Sequence, residues 1–181
     1  MDIEKLRFPI GKYVAPREIT DFVLQQWIHE ISMLPSELRN ATRNLGEDQL
    51  NSHYRPGGWT LKQVIHHLAD SHMNSYIRFK LAYTEENPTI RPYYEERWAE
   101  CEEAKNADIE VSLRLLEALH NRWVLFMKSM GSESWNKTFY HPGNKQTMVL
   151  REVAGLYAWH GKHHLNHILM TSSTKTDTSL G

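Results

Sequence analysis

The chain has a single cysteine, Cys101, in 181 residues. That excludes an intramolecular disulfide and any metal centre built on several thiolates. The surrounding WAECEEAK is acidic, which makes Cys101 a poor candidate nucleophile. Long apolar runs are also missing, since no stretch nears the roughly 18 residues that a membrane span needs. The opening MDIEKLRFPIG lacks the apolar core of a secretory signal, so a cytoplasmic location is expected. Charge of one sign is lacking as well. The 22 acids face 21 bases for a formal charge of −1, which argues against nucleic acid or an anionic membrane as a partner. The sequence contains no G-x-S-x-G elbow, no P-loop, no dinucleotide fingerprint and no HExxH pair. It has no internal repeat, and strand-like alternation never persists beyond a few residues.

Helical periodicity is what remains, with apolar residues in plenty for a core: 40% of the chain, including six Trp, eight Tyr and five Phe. Residues 19–34 place Phe22, Val23, Trp27 and Ile31 on a helix that Thr20 can cap. Pro35 is expected to end it and open a second helix over SELRNATRNL, closed by Gly46. TLKQ at 60–63 is a capping box from which a helix runs to about Glu86. Pro88 and Pro92 enforce an irregular stretch. A third long helix fits 108–130, with Ile109, Leu113, Leu116, Trp123, Met127 and Met130 on one face and Gly131 as its stop. HPGNK suggests a short hairpin within 132–146, and a last helix fits Thr147 to Met170. The expectation is all-α: one domain over residues 1–172, an antiparallel four-helix bundle with short extra helices, followed by a polar tail over 173–181.

Histidine is crowded in two places, AWHGKHHLNHI at 158–168 and HHLADSH at 66–72. On a helical projection of the last helix, His160 and His164 share the stripe of Leu150, Val153, Ala154, Tyr157 and Ile168. His163 and His167 lie off its flank, where they can face outward. An i, i+4 pair puts both rings within reach of one ion, but the pair lacks a third ligand. In the second cluster, His72 lies near the centre of its apolar stripe, whereas His67 sits beside it in a row with Ser71, Asn74 and Arg78. Periodicity alone slightly favours His72. Asp70 can either orient an imidazole or stand solvated on the far side of its helix. Arg78, Tyr83, Arg91 and Tyr93 are candidates to line a pocket.

LRFPIG at 6–11, the long block YRPGGWTLKQVIHHLADSHMNSYIRFKLAYTEENPTIRPY at 54–93 and LYAWHGKHHLNHI at 156–168 together resemble the DinB superfamily. The closer likeness is to its YfiT-like branch of metal-dependent hydrolases. The tryptophan-led helix start, HLAD and a later HxxxH carry the resemblance. It implies a four-helix bundle holding one divalent ion on His67, the HLAD histidine, and on the HxxxH pair His160 and His164. A homodimer is implied as well. Three imidazoles suit zinc or nickel better than magnesium or calcium, and three protein ligands leave positions open for chemistry. The expected activity is hydrolysis of a small molecule. The alternatives are transfer of a low-molecular-weight thiol of the bacillithiol type, and metal binding without catalysis.

Overall fold

A computed structural model describes residues 2–173; the expected polar tail from 174 onward lies outside the described residues. Four long helices dominate: α2 (Asp21–Thr42), α4 (Leu61–Thr84), α7 (Ile109–Ser129) and α8 (Leu150–Ser173). Short helices join them: α1 (Ile3–Arg7), α3 (Glu47–Leu50), α5 (Glu95–Trp98), α6 (Glu102–Asn106) and a 3₁₀ turn over Ser132–Asn136. The one hairpin among the described residues pairs β1 (Thr138–His141) with β2 (Gln146–Val149), with Thr138 opposite Val149. It surrounds HPGNK as the sequence predicts, and β2 delays the start of α8 to Leu150.

The helix starts follow local chemistry. Thr20 caps α2 by accepting from the Val23 N–H at 3.3 Å. At α4 the capping box forms in full: the Gln63 N–H donates to Thr60 Oγ1, and the Thr60 N–H donates to Gln63 Oε1. Gln63 then donates through Nε2 to the Ala99 carbonyl, which ties the start of α4 to the loop above it.

The principal contacts run in a ring, α2 to α7, α7 to α4, α4 to α8 and α8 to α2. Direction around the ring is set by which residues face which. On α8, an added Cβ at Gly155 would meet Trp27 of α2, and one at Gly161 would lie 2.6 Å from Leu34 Cδ2, so α2 and α8 run the same way at close approach. His66 meets Ser112 and His72 meets His120, so α4 and α7 also run the same way. The two pairs oppose each other. Segment 85–108 is long enough to return the chain to the starting end of the bundle before α7 begins.

One expectation fails here. Pro35 does not end the first helix; it lies buried inside a continuous α2. Proline has no N–H to donate to the carbonyl of Ile31, four residues back. Burial of Ile31, Leu34 and Leu38 on either side holds the helix together across the gap.

The apolar core has two halves. One gathers Ile28, Ile31, Phe79, Trp123, Met127, Leu150 and Val153, and the other Leu34, Leu38, Leu61, Ile65, Leu68, Leu116 and Ile168. On three of the four long helices, buried polar residues fall between these halves: Ser71, His72 and Ser75 on α4, His120 on α7, His160 and His164 on α8. The bundle thus carries a transverse layer of imidazoles between two apolar blocks.

Candidate metal centre

Nitrogen atoms of His67, His160 and His164 lie within 4.8 Å of one another, a group that could hold a metal ion. His67 Nε2 stands 3.3 Å from His160 Nε2. Two nitrogens bound at roughly 2.0–2.1 Å to one tetrahedral ion stand about 3.3 Å apart, so this pair already has a ligand spacing. The ring of His164 is 4.6 Å from that of His160 and 4.9 Å from that of His67. The ring of Trp59, just before the capping box, lies 4.7 Å from His67.

Burial keeps these imidazoles neutral. It lowers His67 to about 4, and it holds His160 and His164 well below the usual value, with neighbouring histidines adding to the effect. A neutral imidazole has one bare nitrogen, and the hydrogen bonds decide which one. The chain of bonds starts at the gap left by Pro35. The Ile31 carbonyl accepts from His120 Nδ1 at 2.6 Å, so the proton of His120 is on Nδ1 and its Nε2 is bare. His72 Nδ1 donates to that Nε2 at 2.9 Å. His72 Nε2 is therefore bare and accepts from His160 Nδ1 at 3.2 Å. The consequence is that His160 Nε2 carries a free lone pair and points at the convergence. A second, shorter chain backs His164. His167 Nε2 donates to the Arg7 carbonyl at 3.3 Å, which leaves His167 Nδ1 to accept from His164 Nδ1 at 3.3 Å and bares His164 Nε2. Both chains end on backbone carbonyls, which can only accept.

Several sequence expectations are sorted by this arrangement. His67, His160 and His164 come together. His72 does not join them; it is fully buried, as its place in the apolar stripe implied, and stands behind His160. His163 and His167 do not face outward, being only 7% and 3% exposed. The N-terminal segment and the 53–59 loop cover that flank, with Phe8 5.9 Å from His163 and Tyr54 4.1 Å from His167 between ring centroids. Helical periodicity registers contacts between helices and is blind to such coverage. His163, His164 and His167 form a second close trio, but both nitrogens of His167 are engaged as described, so the trio supports His164. Asp70 does not orient His67. It lies by a separate cleft with His66 and Glu103, and burial followed by the charge of Glu103 raises its carboxyl to about 6. The sequence reading missed His120, although it falls on the α7 stripe between Leu116 and Trp123. Glu95 and Glu96 were missed too, because only the path of the 85–108 loop brings them over the site.

Two chambers meet at His160. One, of about 590 Å³, is lined by Ser71, Arg78, Tyr93, Tyr157 and His141 among others. The other, of about 610 Å³, holds His67, His163, His164, His167 and Trp59. Glu95 and Glu96 line both. Burial, then the charge of Glu96, raises the Glu95 carboxyl above its usual range. Of the pocket candidates, Arg78 and Tyr93 line a chamber. Tyr83 packs edge-on against Phe126 elsewhere, and Arg91 is exposed.

Comparison with known proteins agrees with the geometry. YfiT from Bacillus subtilis, described as "a probable metal-dependent hydrolase with an unusual four-helix bundle topology", superposes with a TM-score of 0.93 at 44% identity, covering 95% of this chain and 98% of that one. Proteins of Bacillus cereus strain AH820 and Bacillus anthracis strain A0248, both named "Putative metal-dependent hydrolase", are 53% identical over 163 residues, covering 90% of this chain and 93% of theirs. The family model of the DinB superfamily matches residues 30–168, and the chain belongs to that superfamily.

Proposed function

We propose that the protein is a metal-dependent hydrolase of a small molecule, with one divalent ion, zinc or nickel, held by Nε2 of His67, His160 and His164. The observation that carries this reading is the convergence of three neutral imidazoles, with no fourth protein ligand in the group among the described residues, at the junction of two chambers. Structural zinc sites close with four ligands, whereas a three-ligand set leaves room for substrate or water. A bound ion supplies Lewis-acid activation there, of water for hydrolysis or of a thiol in the transferase alternative.

The chain's own residues supply the rest. His72 and His120 hold the proton of His160 on Nδ1, and His167 does the same for His164, which orients the rings and strengthens them as donors. Glu95, with its raised carboxyl and its place on both chambers, is suited to take or return a proton. A homodimer, implied by the resemblance, belongs to the same reading, and a dimer boundary in sedimentation is its test. Elemental analysis of purified protein is expected to give about one zinc or nickel per chain, and His160→Ala to reduce it to near zero. A fully loaded His160→Ala variant overturns the ligand set. Hydrolysis abolished by chelation and restored by zinc or nickel is the expected activity result.

A further inference from the structure

Arg78 is nine-tenths buried, 9% exposed, in the wall of the first chamber. Among the described residues no carboxylate lies within 4.0 Å of its guanidinium, and it makes no hydrogen bond, although arginine–carboxylate pairs, Arg39 with Glu110 and Glu117 and Arg114 with Glu110, form at the surface. Removing a cation from water without a counter-charge is costly, and proteins rarely leave one so. The guanidinium instead faces empty volume. Its surroundings are the hydroxyl-bearing residues Ser71, Tyr93 and Tyr157, and His141. His141 Nδ1 accepts from the Asn144 N–H at 3.2 Å, and burial together with Arg78 lowers the imidazole, so it is neutral.

The other charges of the chamber are Glu95, Glu96 and Arg97. Arg97 is occupied over the Tyr94 ring at 4.5 Å. Glu95 and Glu96 line both chambers, as His160 does. The chamber wall therefore holds two carboxylates and an unpaired guanidinium along with His160. Arg78 and His160 line this same chamber.

We propose that Arg78 anchors an oxyanion of the substrate, a carboxylate or phosphate group, so that this enzyme acts on small anionic molecules. A planar guanidinium presents paired N–H donors that match two oxygens of either group. A chamber of about 590 Å³ admits a small-molecule ligand. The substrate class deepens the hydrolase reading, but anion binding at Arg78 does not require the ion.

The test titrates nitrogen-15-labelled protein with inorganic phosphate, with acetate and with neutral acetamide, before and after chelation. The Arg78 Nε–H resonance, identified by its loss in Arg78→Lys, is expected to shift saturably with phosphate or acetate and not with acetamide. The anion that saturates at the lower concentration names the group. The shift is expected to survive chelation. Calorimetry on Arg78→Met, which removes a buried charge and is expected to fold, should show affinity for that anion reduced on the order of tenfold or more. No saturable shift of wild-type Arg78 with either anion overturns the proposal, as does equal affinity in a folded Arg78→Met. Failure of the metal reading would appear separately, as protein that never loads zinc or nickel while the Arg78 shift persists.

Discussion

His160 and His164 stand one helical turn apart on α8, yet they are supported from opposite sides of the molecule. Behind His160 the chain of bonds runs inward through His72 and His120 and ends on α2, all within the packed layer between the two apolar halves. Behind His164 it runs outward through His167 and ends on Arg7, in a short N-terminal helix with no buried residue. The first support is as rigid as the core. The second depends on a segment that can lift away at low free energy, because it buries little. Two chemically equal imidazoles thus differ in how firmly their lone pairs are aimed.

The comparison can be broken most severely at the convergence itself, where His160→Ala is expected to abolish binding whatever its support. His120→Leu comes next. It leaves all three ligands in place but cuts the inner chain, so His72 and His160 lose their fixed tautomers. Zinc affinity, measured by competition with a chromophoric chelator, is expected to fall on the order of 10–100-fold. Unchanged affinity in a folded His120→Leu would show that the inner chain orients nothing. His167→Phe, which retains a ring against Tyr54, cuts the outer chain. Its loss is expected to be smaller, about tenfold or less, and a loss exceeding that of His120→Leu would reverse the ranking of the two supports.

Acid should expose the layer as a whole. Burial holds His67, His120, His163 and His167 near 4 in the folded protein, against about 6.5 in an unfolded chain. Between those values the unfolded state binds more protons, so the stability of the metal-free protein is highest above about pH 6.5 and declines as pH falls toward about 4. Urea midpoints of chelated protein should therefore drop steadily between neutral pH and about pH 5. A flat profile would mean that the imidazoles are solvated rather than buried.

Much of this was legible from sequence, and the limits have physical causes. The capping box at Thr60, the stop near Gly131 and the HPGNK hairpin are local, and local chemistry decides them. The inward direction of His160, His164 and His72 is a property of one helix, and periodicity reads it. Choosing His67 over His72 as a ligand is not such a property, since both lie near the inner face. Which one meets His160 Nε2 depends on how α4 sits against α8, and only the resemblance supplied that choice. The burial of His163 and His167 and the arrival of Glu95 depend on segments far away in the chain. Pro35 misled for a related reason: the rule that proline ends helices assumes that nothing else holds the two halves in line.

Pro35 also has a consequence for anyone who would improve this protein. An interior proline is the first residue that a stability engineer would remove, and alanine there would restore the missing backbone N–H and tighten α2. The Ile31 carbonyl would then be drawn back along the helix axis toward its new donor, and His120 would have to share the acceptor it now bonds. A sturdier scaffold would come with a less determined proton position three imidazoles away. In this bundle the defect in one helix is the reference point from which the aim of an imidazole on another is set.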